Sequence, residues 1–118
     1  MNPARMERLE AATRVALAFY DALARGDMPA MLPLVSDDCI LESAAPPPQG
    51  ERRAGKQAVS AFWQALLQHT PPADLKIEEV FSTATRCVVR WQCAGARGVD
   101  ILRVSQGRIC EMLRYVKG

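Results

Sequence analysis

Apolar residues recur along this chain with a helical period in its first half and a strand period in its second. Leu9, Ala12, Ala16, Phe19 and Leu23 step by three and four, which places them on one face of a helix. Asn2-Pro3 supplies an N-cap and a first-turn proline ahead of that face, and Gly26 supplies the glycine that ends it. Asp27 then caps a short second helix, Met28 to Val35. Pro33 must shorten or kink this helix, because it removes a donor and clashes one turn back. Ser36-Asp37-Asp38 reads as a turn and Cys39 to Ser43 as a strand. A third helix runs from Gly55 to His69, with Val59, Phe62, Trp63, Leu66 and Leu67 on one side and Thr70-Pro71-Pro72 as its stop.

Beyond that point the period falls to two. Leu75 to Ser82 and Cys87 to Cys93 read as strands joined through Thr83-Ala84-Thr85-Arg86. In the second, Cys87, Val89, Trp91 and Cys93 alternate against Val88, Arg90 and Gln92, which predicts one buried face. The closing stretch GVDILRVSQGRICEMLRYVKG, Gly98 to Gly118, reads as a hairpin that turns at Ser105-Gln106-Gly107. If Val104 pairs with Arg108 across a three-residue turn, Asp100 stands opposite Met112 and Arg114 is its diagonal neighbour. One face then carries Asp100, Leu102, Val104, Cys110, Met112 and Arg114. The other carries Val99, Ile101, Arg103, Ile109, Glu111, Leu113 and Tyr115. A charged pair therefore stands inside a largely apolar face. The order helix, helix, strand, helix and then antiparallel strands is an α+β layout, with helices packed on one face of a curved sheet and residues 1–118 forming one domain.

Composition narrows the function classes. Nearly half of the residues are hydrophobic and about a quarter charged, as in an ordinary globular protein. A net charge of +2 is far from the basic footprint of a nucleic-acid binder. Arg52, Arg53 and Lys56, diluted by Glu51, read as a solvated loop and helix start. No apolar run approaches the roughly 20 residues of a membrane span, and the charged N-terminus is unlike a signal peptide, so a cytoplasmic location is expected. Cys39, Cys87, Cys93 and Cys110 are widely spaced and His69 is the single histidine. Neither a zinc site nor a nucleophile–histidine unit has its parts, and neither metal nor cofactor is expected. The cysteines read as small hydrophobes. Ala44 to Gly50, AAPPPQG, is a stiff loop, either at the mouth of a cavity or a plain connection.

The segments FYDALARGDMPAMLPLVSDDCILES, the helix start from Gly55 to Trp63, and GVDILRVSQGRICE resemble a SnoaL-like domain of the nuclear-transport-factor-two-like and ketosteroid-isomerase-like proteins. The resemblance covers roughly Leu17 to Gly118. It implies three helices on a strongly curved, mixed, mostly antiparallel sheet that forms a cone with an internal cavity, and a homodimer through the outer face of the sheet. It also implies a superfamily of isomerases, cyclases, dehydratases, hydrolases and non-catalytic members, so activity has to be argued from the site. The base aspartate of the isomerases falls on Ser43, with Glu42 on the opposite, solvated face. Their oxyanion-hole tyrosine falls on Phe19, one residue from Tyr20, and the supporting tyrosine falls on Trp63. Against the SnoaL-like cyclases, Asp100 fits a polar position, Arg114 replaces an acid, and Met112-Leu113 replaces a His-Trp.

Asp100, Arg114 and Tyr20 are the candidate catalytic residues. Phe19, Ser43, Trp63, Trp91, Leu102 and Met112 are the candidate ligand-binding ones. Asp100 with Arg114 either orients or deprotonates a substrate, or is a buried ion pair that sets strand register. The expected partner is a small apolar molecule. The chemistry is either acid–base turnover of that molecule or, alternatively, binding or dimerisation alone.

Overall fold

A computed structural model describes residues 2–69 and 74–117, so the expected helix stop at Thr70-Pro71-Pro72 lies outside the described residues. Helix α1 spans Pro3–Ala24, and Asn2 Oδ1 accepts from the Arg5 N–H at 2.8 Å as its cap. Its inner face buries Ala12, Ala16, Phe19, Tyr20 and Leu23. Gly26 takes a φ of 66°, which turns the chain, and Asp27 caps α2, Met28–Met31, by accepting from Ala30 N at 3.1 Å.

The second helix is shorter than the sequence suggests. Pro33 sits in a 3-10 turn, Leu32–Leu34, and Val35 already belongs to strand β1, Val35–Ser43. Ser36-Asp37-Asp38 is therefore strand and not turn, with the irregularity expressed as a register shift between Val35 and Ile40. Strand β2, Glu51–Ala54, is a second correction. Arg52 and Arg53 belong to a short edge strand antiparallel to β1, where Arg52 stands opposite Glu42 and pairs with it at 3.4 Å. Helix α3, Lys56–His69, is tied to β1 by the Gly55 N–H donating to Cys39 O at 2.8 Å.

The remaining strands are β3 (Lys76–Ser82), β4 (Arg86–Cys93), β5 (Ala96–Ser105) and β6 (Arg108–Lys117). The sheet runs β2-β1-β6-β5-β4-β3, with β1 and β6 parallel and the other neighbours antiparallel. This is the expected α+β architecture: three helices on a mixed, curved sheet that stays open at its β2 and β3 edges.

The closing hairpin differs in register from the expectation, and the difference bears on the site. Gln106 and Gly107 have φ of 53° and 76°, the pair of left-handed conformations that a two-residue turn requires. Ser105 consequently pairs with Arg108, so the turn holds two residues and not three. A bulge then shifts the register between Arg103 and Val104, and Asp100 lies directly opposite Arg114 instead of Met112. The tighter turn puts Ile109 opposite Val104 on the buried face, where Cys110 was expected, and the bulge leaves Cys110 half-buried.

Candidate functional site

Three elements converge below the sheet's inner face. Helix α1 brings Tyr20, β5 brings Asp100 and β6 brings Arg114. Tyr20 Oη donates to Asp100 Oδ2 at 2.6 Å, and Arg114 Nη1 donates to the same oxygen at 3.0 Å. Asp100 is 2% exposed and Arg114 8%. Among the described residues, Asp100 Oδ1 receives no hydrogen bond, and the indole N–H groups of Trp63 and Trp91 complete none. The guanidinium carbon lies 4.4 Å from the ring centre of Trp91 and 5.0 Å from that of Trp63, both within cation–π range. Edge-on contacts of Phe19 with Tyr20 at 5.5 Å and with Trp63 at 5.3 Å lock the aromatic side of the cluster.

Burial sets the charges here. Desolvation raises the Asp100 carboxyl above its ordinary value. Arg114 and Tyr20 pull it back, as does the indole of Trp91, which favours the charge without completing a hydrogen bond. Tyr20 is raised well above 10.0, first by burial and then by Asp100, so its phenol is a proton donor throughout the neutral range. Removing one partner of such a buried pair costs about 3–5 kcal/mol, because the other charge is left uncompensated.

A recess of about 400 Å³ lies beside this cluster. Its wall is built from Leu23 of α1, Phe62, Leu66 and Leu67 of α3, and Ala45 and Pro46 of the loop after β1. Trp91, Cys93, Ala96 and Val116 close the sheet side, and Ser43 and Arg114 supply the remaining polar groups. The proline loop is thus part of the rim. It is held by Ala44 N donating to Arg114 O at 2.9 Å and Ala45 N donating to Ser43 Oγ at 3.2 Å. Burial raises the Cys93 thiol, ahead of any effect of Asp74, and pushes Cys39 up to about 12. Both stay protonated and are poor nucleophiles at neutral pH.

Of the residues singled out from the sequence, Ser43, Trp91 and Arg114 stand on the wall of this recess. Asp100 and Tyr20 meet Arg114 but lie behind it, off the wall. Phe19, Trp63, Leu102 and Met112 are side chains of the central core and are not among the lining residues. Leu66 and Leu67 were not foreseen as lining, nor was the bracing of Arg114 by two indoles, whereas Ala45 and Pro46 belong to the loop expected either at a cavity mouth or as a plain connection. One available signal was Gly98, since a glycine inside a strand marks close approach by another group. Among the described residues no three His, Cys, Asp or Glu side chains gather as metal ligands, and no helix is long and apolar enough to cross a membrane.

The model of the SnoaL-like domain family matches residues 16–112. A Mesorhizobium loti nuclear-transport-factor-two-like protein of unknown function is 32% identical, with 94% of each chain covered and a TM-score of 0.82. A Burkholderia thailandensis SnoaL-like protein of unknown function is 21% identical over 92% of this chain and 96% of its own, with a TM-score of 0.78. A Kribbella flavida protein described as a candidate ketosteroid isomerase is 19% identical over 93% of this chain and 80% of its own, with a TM-score of 0.76. The last two likenesses are of fold alone. No curated protein matches the chain.

Proposed function

The chain belongs to the SnoaL-like domain family of nuclear-transport-factor-two-like proteins, and from that premise we propose that it binds a small, largely apolar molecule without transforming it. The ligand's single hydrogen-bond-accepting group, neutral or anionic, is seated on Arg114. The observation that carries this reading is the make-up of the recess. Its wall is largely aliphatic and aromatic, and among the described lining residues Arg114 is the charged side chain. A volume of about 400 Å³ suits a small organic molecule. The guanidinium has five N–H donors, and among the described residues it donates to Asp100 through Nη1, which leaves donors for a ligand.

Asp100 and Tyr20 serve this site from behind by fixing the guanidinium. A general base has to come within about 3 Å of the proton it removes, and neither group stands on the wall. Ser43, at the position of the isomerases' base, offers a neutral hydroxyl that accepts from Ala45 N and cannot abstract a carbon-bound proton as a carboxylate can. Among the described residues acid–base turnover therefore has no base on the wall of the recess, and binding alone is the reading the geometry favours.

Two probes with one aromatic skeleton test it. 1-Anilinonaphthalene-8-sulfonate carries an anionic group, and N-phenyl-1-naphthylamine lacks it. Both should bind saturably at one site. Arg114→Met paired with Asp100→Asn, which leaves no buried charge unpaired, should weaken the sulfonate by about tenfold or more, as expected for loss of a charge-assisted hydrogen bond, and leave the neutral probe little changed. Failure of the folded protein to bind either probe would end this reading.

A further inference from the structure

We infer that Gly98 is the specificity-determining residue of this recess: it lets the Trp91 indole cross β5 and brace the Arg114 guanidinium on β6, and so sets both the depth of the recess and its one charged contact. This rests on the reading of the recess as a binding site, and it adds a residue that touches no ligand itself.

The argument begins with the strand order. Trp91 is on β4 and Arg114 on β6, with β5 between them. Neighbouring strands lie about 4.8 Å apart, so a side chain joining β4 to β6 has to pass over β5. The Trp91 ring nevertheless reaches to 4.4 Å from the guanidinium carbon. Its cross-strand partner on β5 is Gly98. A Cβ built on Gly98 would stand 2.6 Å from Trp91 Cε2, closer still to Cζ2, and 2.8 Å from the carbonyl oxygen of Tyr115. The indole thus fills the volume that any side chain at position 98 would need. The φ of Gly98 lies outside the left-handed region, so the requirement is for space and not for backbone freedom.

The inner face of β5 shows why the recess is where it is. Reading along the strand, that face carries Ala96, Gly98, Asp100, Leu102 and Val104. The small residues stand at the end where Ala96 lines the recess, and the aliphatic ones stand in the packed core. With the ring seated over Gly98, Trp91 forms part of the wall and presses on the guanidinium from the β4 side, while Trp63 presses from α3. Without the seat, the indole has to swing into the recess or out of it. Arg114 then keeps its hydrogen bond to Asp100 but loses its brace from the sheet side.

The test is a double-mutant cycle of Gly98→Ala and Trp91→Leu, read in two independent ways. The first reading needs no ligand. In the native protein both tryptophans are buried, at 2% and 4% exposure. Gly98→Ala should raise acrylamide quenching of tryptophan emission at least about twofold, and should lower the melting temperature by about 5 °C or more. In the Trp91→Leu background the same glycine substitution should lower it by less than half as much, because the clash with the indole is gone and only the contact with the Tyr115 carbonyl remains. The second reading is binding of 1-anilinonaphthalene-8-sulfonate. Each single variant should bind it about tenfold more weakly, and the double variant should be no weaker than either.

Additive losses in melting temperature, or unchanged quenching in Gly98→Ala, overturn the inference, since the Tyr115 carbonyl and not the indole would then set the requirement for glycine. If Gly98→Ala does not fold, a folded double variant upholds the coupling and an unfolded one overturns it. Absence of sulfonate binding in the wild type, with the ligand-free cycle still coupled, overturns the binding role while leaving Gly98 as the seat of Trp91.

Discussion

Among the described residues, Asp100 takes two hydrogen bonds on one carboxylate oxygen and none on the other. That imbalance has a measurable consequence, because burial raises its folded value above 3.8 while Arg114 and Tyr20 oppose the rise. A carboxyl raised by folding holds its proton more tightly in the native chain. Its contribution to stability is full below 3.8 and is lost as pH climbs through the raised value. The stability of the wild type minus that of Asp100→Asn should therefore fall with rising pH over this interval and level off above it. Tyr20 works in the same direction at the alkaline end. Wild type minus Tyr20→Phe should decline once pH passes 10.0, where the unfolded phenol ionises and the buried one does not. Urea titrations across pH measure both differences. A difference for Asp100 that grows with pH would mean that its donors outweigh its burial. The contact of Asp100 with Arg114 was legible from period-two alternation, which put both on one face. Their direct opposition was not, because it follows from the two-residue turn together with the register shift between Arg103 and Val104, which alternation alone does not reveal.

At the scale of elements, chain segments with strong local signals formed where their residues predict. Helix α1 has a cap, a first-turn proline and an apolar stripe, and all three agree. Strand β2 has no such signal, since Glu51-Arg52-Arg53-Ala54 becomes a strand only because the edge of β1 is there to pair with it. The loop between them turns on Gly50. It has a φ of 72°, and a Cβ there would collide with the backbone carbonyl of Ser43. Its N–H also closes the loop on Pro46 O at 2.8 Å. Gly50→Ala should cost about 1–3 kcal/mol from backbone strain alone, read as a lower urea midpoint. It should also weaken probe binding, because Ala45 and Pro46 form the rim. A fully stable Gly50→Ala variant would show that the rim tolerates a different path.

For the whole molecule, the open question is the outer face of the sheet. Val88, Ile101 and Leu113 stand in one row across β4, β5 and β6, and Arg90, Val99 and Tyr115 in the next. Tyr115 is 50% exposed, and Phe81 on β3 is 54% exposed. An apolar band of this kind on a small protein marks an association surface, and we propose that two copies pair through it. Sedimentation at micromolar concentration should give about twice the chain mass of 13.0 kDa, and Ile101→Glu, whose side chain would be buried against the partner copy, should return it to one chain mass. A wild-type protein that sediments at 13.0 kDa would count against the pairing.

The sequence by itself determined α1, α3, the core of β1 and the last four strands, and that a carboxylate and a guanidinium share the inner face of the last hairpin; it did not determine β2, the strand path of Ser36-Asp37-Asp38 or the facing of Ile109. What it determined follows from period, caps and turn residues, which act over a few neighbours along the chain. Only the tertiary structure decided that Asp100 and Tyr20 lie sealed behind Arg114 while Ser43, Trp91 and Arg114 meet a recess, because side-chain depth depends on what α1, α3 and the proline loop lay over the sheet. It also decided the role of Gly98: the space left by a missing side chain acquires a use only when a ring from the neighbouring strand comes to fill it.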